Sequence, residues 1–304
     1  MKIVPKFWLA LMMLPMTASV AIAANDVPTQ FTNQGGISNT RHNMSQSTEQ
    51  SNSGATMNSY RNRYGEVCVY CHTPHGANTN AAAPLWNRSL PTGTTYQTYN
   101  LLNTSTLTQA VSQPGAASLP CLSCHDGSQA IDAIINMPGS GQYNATPDPT
   151  LWNPIAAGYP SNYKSTQHRT LTQCMACHNE DPNGIGGGIA TDFTVFNIGT
   201  DLRNDHPVGV NFPTTSGGTT DWKAPSGSVT SGGVVTTFFD ENTNGRMDKG
   251  DIRLYGSGSD SRVECASCHD PHGVPSAGVG STFLPTFLRK TNTGSTVCLT
   301  CHNK

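Results

Sequence analysis

Ten cysteines fall into five pairs, and each pair is C-x-x-C followed at once by histidine. The groups are Cys68-Cys71-His72, Cys121-Cys124-His125, Cys174-Cys177-His178, Cys265-Cys268-His269 and Cys298-Cys301-His302, with no cysteine left over. A two-residue spacer lets one short turn present both thiols on the same side and the next residue beside them. That is the pattern of covalent c-type haem attachment. The thiols add to the two vinyl groups, and the imidazole becomes an axial ligand of the iron. Two other chemistries use such pairs: disulfides in exported proteins and zinc sites built from two pairs. Neither explains a histidine after every second cysteine, and an odd number of pairs does not suit zinc. The spacing predicts five covalent haems.

Five histidines remain: His42, His75, His168, His206 and His272. Five irons need five sixth ligands, so the count predicts bis-histidine ligation throughout. Met44, Met57, Met137, Met175 and Met247 are the alternative ligands. Bis-histidine ligation gives low potentials and leaves no open iron position. The predicted chemistry is therefore outer-sphere electron transfer with no catalytic residue, not an enzyme. His75 lies three residues after His72, and three extended residues span about 10 Å at most. That is too short to pass round the edge of a macrocycle, so His75 as a ligand must serve a different haem. The same holds for His272 after His269. Both copies keep a proline before the second histidine, Pro74 and Pro271, which stiffens the link.

The elements that must position these groups are faint. Apolar residues make up 36% of the chain, beside 30 glycines and 20 prolines, against about 45–50% in ordinary domains when glycine is counted with them. So little apolar side chain does not offset the entropy of ordering. The composition predicts loops, turns, short helices and a few short strands wrapped around stacked haems, which supply the missing core. Each C-x-x-C-H is expected on one or two helical turns. VVTTFF (234–239) and IRLY (252–255) read as short strands.

Residues 1–23 read as a signal peptide: a basic start, a short apolar run and Ala21-x-Ala23. Removing Lys2 and Lys6 with it takes the formal charge from −2 to −4. That excludes a nucleic-acid-binding balance, and no later run is apolar enough to span a membrane. The reading is a secreted chain, exported through the periplasm to the cell surface or beyond. Residues 24–64 form a polar arm carrying His42, and 65–304 form the pentahaem domain.

One further motif stands apart. DENTNGRMDKGD, residues 240–251, has oxygen ligands at the alternation of a calcium loop: Asp240, Asn242, Asn244, Asp248 and Asp251, with Arg246 offering its carbonyl. Gly245 stands where such loops turn sharply. The spacing predicts a bound Ca²⁺ as a structural clip.

The arm with His42, CVYCHTPHG (68–76) with the following APLWN (83–87), LPCLSCHDG (119–127) and CASCHDPHG (265–273) together resemble the filament-forming extracellular multihaem cytochromes of the OmcE and OmcS type. The resemblance implies a mostly irregular fold around a continuous haem stack, all haems bis-histidine. It also implies a homopolymer in which one axial ligand is donated across the subunit interface, with His42 the candidate. Redox partners at the cell surface would follow. Members of that family carry even numbers of haems, and five motifs depart from this. A monomeric periplasmic or cell-surface carrier is the second expectation, and a multihaem reductase the third.

Overall fold

The computed structural model describes residues 31–44, 66–136, 171–175, 178–179, 192–218 and 220–303. The signal segment, most of the arm, His168 and Cys177 lie outside them. Regular structure is sparse and short. The helices are α1 (Leu119–His125), α2 (Leu171–Cys174) and α3 (Cys265–Cys268), joined by several single turns of 3₁₀ helix. Two of those turns, Cys68–Tyr70 and Cys298–Thr300, carry cysteine pairs.

The local sequence explains why these helices start where they do. Pro120 occupies the first turn of α1, where a missing N–H costs nothing. Gly127 follows with φ +74°, a left-handed position that suits glycine beyond a helix end. α3 has a capping box: Glu264 and Ser267 each take or give a bond across the first turn.

Five strands form one antiparallel sheet in the order β1-β5-β4-β3-β2. They are β1 (Val210–Asn211), β2 (Gly227–Ser231), β3 (Val234–Phe238), β4 (Arg253–Tyr255) and β5 (Arg262–Val263). β2 and β3 pair from Ser231↔Val234 to Gly227↔Phe238 around Gly232-Gly233. Both glycines have positive φ, as a two-residue hairpin turn requires. At the far end of the hairpin, a Cβ on Gly227 would stand 2.6 Å from the Phe238 ring, so only glycine fits beneath it. β3 and β4 match the two expected strands. β1 and β5, two residues each, and the exposed β2 carry no period that marks them in advance.

Two small apolar clusters form the described core. Phe212, Phe239, Ile252 and Leu254 make the first, on the sheet, and Cys268 and Cys301 pack against it. Tyr96, Leu122 and Leu202 make the second around α1. The sheet thus serves as a floor for the fourth and fifth cysteine pairs, and β5 runs directly into α3.

Candidate functional site

Each described C-x-x-C-H closes into a tight turn through its own backbone. The His72 N–H donates to Cys68 O at 2.8 Å, His178 to Cys174 O at 3.0 Å, His269 to Cys265 O at 3.1 Å and His302 to Cys298 O at 3.0 Å. These bonds bring the second thiol and the imidazole onto one side of the turn. Cys68, Cys71, Cys121, Cys124, Cys265, Cys268, Cys298 and Cys301 are free thiols. Burial pushes Cys71 up to about 12, helped by neighbouring Cys124. Cys301 rises to about 12 and Cys268 to about 11 from the same chief cause.

A second, distant segment clamps the turn at three sites. At the first, His72 bridges Trp86, the Asn87 N–H donates to Cys71 O and the Thr73 N–H to Leu85 O. The fourth repeats this: His269 bridges Leu288, Arg289 N–H donates to Cys268 O and Asp270 N–H to Phe287 O. Leu85 and Phe287, in corresponding places, both hold left-handed φ, +56° and +59°. The fifth site uses an earlier segment. His302 bridges Trp222, Lys223 N–H donates to Cys301 O and Asn303 N–H to Asp221 O. Sequence reasoning missed these clamps, because they are made by main-chain groups with no residue signature.

The clamps also set the histidine tautomers. Nδ1 of His72 lies 2.7 Å from Pro84 O, that of His125 2.6 Å from Phe196 O and that of His269 2.8 Å from Thr286 O. His42 Nδ1 faces Pro271 O at 3.1 Å, and His206 Nδ1 faces Pro207 O at 3.2 Å. A carbonyl only accepts, so each Nδ1 carries the proton and each Nε2 keeps its lone pair. Burial holds His72, His125, His206 and His269 below the ordinary value and brings His42 down to about 4. Neutral imidazoles with Nε2 free to bind metal are the donor set that a haem iron takes. Unpaired thiols beside them complete the fit to a covalent haem.

Two histidine pairs stand at one characteristic separation. The rings of His72 and His272 are 6.0 Å apart between centroids and tilted by 15°. Those of His42 and His125 are 6.2 Å apart at 76°. With metal–nitrogen bonds of about 2 Å, two imidazoles on opposite sides of one metal ion have that spacing. His272 therefore stands with the histidine of the first segment, not with its neighbour His269. His42 stands with His125 of its own chain and stacks on Phe287 at 4.3 Å. Pro271 O holds the His42 ring there through Nδ1. His178 stacks on Phe193 at 3.9 Å and His302 on Trp222 at 4.4 Å. His75 is exposed, with its carbonyl accepting from Thr73 and Asn136. Asp205, beside His206, lies close enough to act on His269.

Four of the five segments adjoin one another. The N-termini of α1 and α3 interlock. The Glu264 carboxylate accepts from Gly115 N–H at 3.1 and 3.0 Å and from the Ser118 hydroxyl. The Ser118 oxygen in turn accepts from Cys265 N–H at 2.8 Å. Two buried arginines hold the spacers. Arg88 donates to Ser123 Oγ and to the carbonyls of Ser123, Ala130 and Ile131. Arg289 donates to the carbonyls of Ala266 and Lys249.

In the loop 240–251 the main chain wraps around side-chain oxygens. Asp240 accepts from Asn244 and Gly245 N–H, Asn242 from Asn244 N–H, and Asn244 from Arg246 N–H. Asp248 accepts from the amides of Asn242 and Asn244. Burial, then repulsion from Asp248 and Asp240, raises Asp251. Among the described residues no group of three or more His, Cys, Asp or Glu side chains forms a metal-holding cluster.

Residues 260–304 match the family described as "Doubled CXXCH motif". The chain is also 27% identical, over 234 residues, to the "C-type cytochrome OmcS" of Geobacter sulfurreducens, covering 57% of this chain. It spans about half of that protein's length, 51%. The chain is a distant homologue of that c-type cytochrome. It is a multihaem c-type cytochrome, and its fold is mostly loops with few short helices and strands. The cytochrome's C-x-x-C-H segments indicate covalent haem c. No helix among its described residues is long and apolar enough to cross a membrane.

Proposed function

We propose that this cytochrome is a pentahaem conductor for long-range extracellular electron transfer. It would carry five bis-histidine haems, at Cys68/Cys71/His72, Cys121/Cys124/His125, Cys174/Cys177/His178, Cys265/Cys268/His269 and Cys298/Cys301/His302. When bound, each haem supplies a one-electron iron couple. The polypeptide holds its attachment segments together and turns Nδ1 of His42, His72, His125, His206 and His269 to main-chain carbonyls, which leaves each Nε2 free. The observation that carries the reading is how the attachment segments adjoin. Arg88 ties the chain after the first site to Ser123 in the second, Glu264 and Ser118 join the fourth to the second, and Cys268 and Cys301 pack against one apolar cluster. This supports a relay in the order first, second, fourth, fifth.

In this reading His272 completes the first site and His42 the second. His75, His168 and His206 are left for the remaining three. Residues 1–23 are the signal peptide, 24–64 the arm and 65–304 the haem domain, and the mature chain acts outside the cell. Polymerisation into a filament follows from the resemblance to filament-forming cytochromes. Because His42 stands beside His125 of its own chain, exposed His75 is the better candidate for a ligand shared between subunits. A monomeric carrier is the second reading, supported by that internal place of His42.

Three measurements test this. Haem quantification with protein mass should give five haems per chain, and fewer would sink the count. Electron microscopy of the secreted protein should show polymers, whereas single particles at all concentrations would leave the monomeric carrier. Reduced protein should show no carbon monoxide spectral change; a stoichiometric change at one haem would turn the reading to a reductase.

The loop 240–251 is proposed to take Ca²⁺ through Asp240, Asn242, Asn244, the Arg246 carbonyl, Asp248 and Asp251. Chelator should then lower the melting temperature, and Asp248→Ala should abolish the response. An unchanged melting temperature with chelator would remove calcium from the proposal.

A further inference from the structure

Nδ1 of His42, His72, His125, His206 and His269 faces a main-chain carbonyl. His272 is different. His272 Nδ1 lies 3.1 Å from Asp270 Oδ1, and the His272 N–H donates to the same oxygen at 3.0 Å. The Asp270 side chain is 9% exposed, and its other oxygen faces the guanidinium of Arg289 at 3.3 Å, itself 4% exposed. Arg289 cannot swing away, since it also holds Ala266 O at 3.0 Å and Lys249 O at 2.9 Å.

The duplicated segments supply an internal comparison. C-H-T-P-H at 71–75 and C-H-D-P-H at 268–272 have the same clamp, yet Thr73 donates to the His75 carbonyl and not to its ring. Asp270 reaches its histidine's ring. A carboxylate draws the Nδ1 proton more strongly than a carbonyl does, and makes the opposite nitrogen a more basic ligand. A more basic axial imidazole favours the oxidised iron and so lowers the potential.

We infer that Asp270, locked by Arg289, orients His272 toward His72 and lowers the reduction potential of the haem held between them. Asp270 is thus a positioning residue for the first site, although it lies in the fourth segment. The inference rests on His72 and His272 sharing one iron.

The test uses the full-length, haem-loaded protein. Asp270→Asn keeps an acceptor oxygen and removes the charge. In a spectroelectrochemical titration one component should move to higher potential while the others stay. The low-spin ferric electron paramagnetic resonance of one haem should shift too, because it reads the ligand field of the axial imidazoles. Asp126→Asn is the charge-only control. Asp126 also follows a site histidine, but accepts from the Tyr96 and Ser128 hydroxyls and not from a ring. It should leave the resonance unmoved. If Asp270→Asn loads haem poorly, Asp270→Thr, copying the residue of the first segment, takes its place. The inference is overturned if no component moves, or if Asp126→Asn gives the same spectra. His272→Ala tests the pairing beneath it. One haem should become high-spin and bind carbon monoxide, and five unchanged low-spin haems would refute the shared iron independently of Asp270.

Discussion

Arg88 shows how much this fold asks of one side chain. It is fully buried, and four of its five donors are engaged by Ser123, Ala130 and Ile131. Three carbonyls and a hydroxyl, not a carboxylate, receive those bonds, so the guanidinium acts as a bracket between the segment after the first site and the spacer of the second. An unmade bond to a buried group costs about 1–3 kcal/mol. Arg88→Met is therefore expected to lower the stability of the loaded protein by about 3–5 kcal/mol, read from the denaturant midpoint. Arg88→Lys should recover little of it, because a single ammonium cannot serve a forked set of acceptors. A Lys variant as stable as the parent would show that charge, not the fork, matters there. None of this was visible in the string Trp86-Asn87-Arg88-Ser89, where arginine reads as a surface residue.

At the scale of elements, the joint between α1 and α3 sets how two attachment segments meet. Glu264 caps α3 and accepts from the residues that begin α1, while Ser118 returns a bond to the start of α3. Glu264→Gln replaces one acceptor oxygen by a donor facing Gly115. It should cost about 1–3 kcal/mol in the same denaturation measurement, and a neutral outcome would mean the joint is held elsewhere. The sequence showed the cysteine pairs, their helical turns and strands 234–239 and 252–255, because each is a local pattern of residue types. The joint and the clamps were hidden for a physical reason. They consist of main-chain bonds between segments far apart in the chain, and the left-handed positions that shape them fall on Leu85, Thr286 and Phe287 rather than on glycine. His42 was legible as a candidate ligand, but its place beside His125 was not, since that depends on the packing of Phe287 and Pro271 around its ring.

At the scale of the molecule, two clusters of four and three buried apolar residues are a small core among the described residues. Burial of a Leu- or Phe-sized side chain stabilises by about 1.5–3 kcal/mol, against a backbone cost of about 1–2 kcal/mol for every ordered residue. Protein made without haem is expected to lack a cooperative thermal transition and to be cut by protease throughout, where the loaded form resists. A sharp transition in haem-free protein would show that the polypeptide core suffices. The pairing of His72 with His272 then bears on how such a molecule is made. A chain threaded N-terminal side first through a membrane delivers Cys68 and Cys71 well before His272. The first site would be attached long before it is completed, and until His272 arrives its iron would stand open to whatever ligand or oxidant the compartment holds.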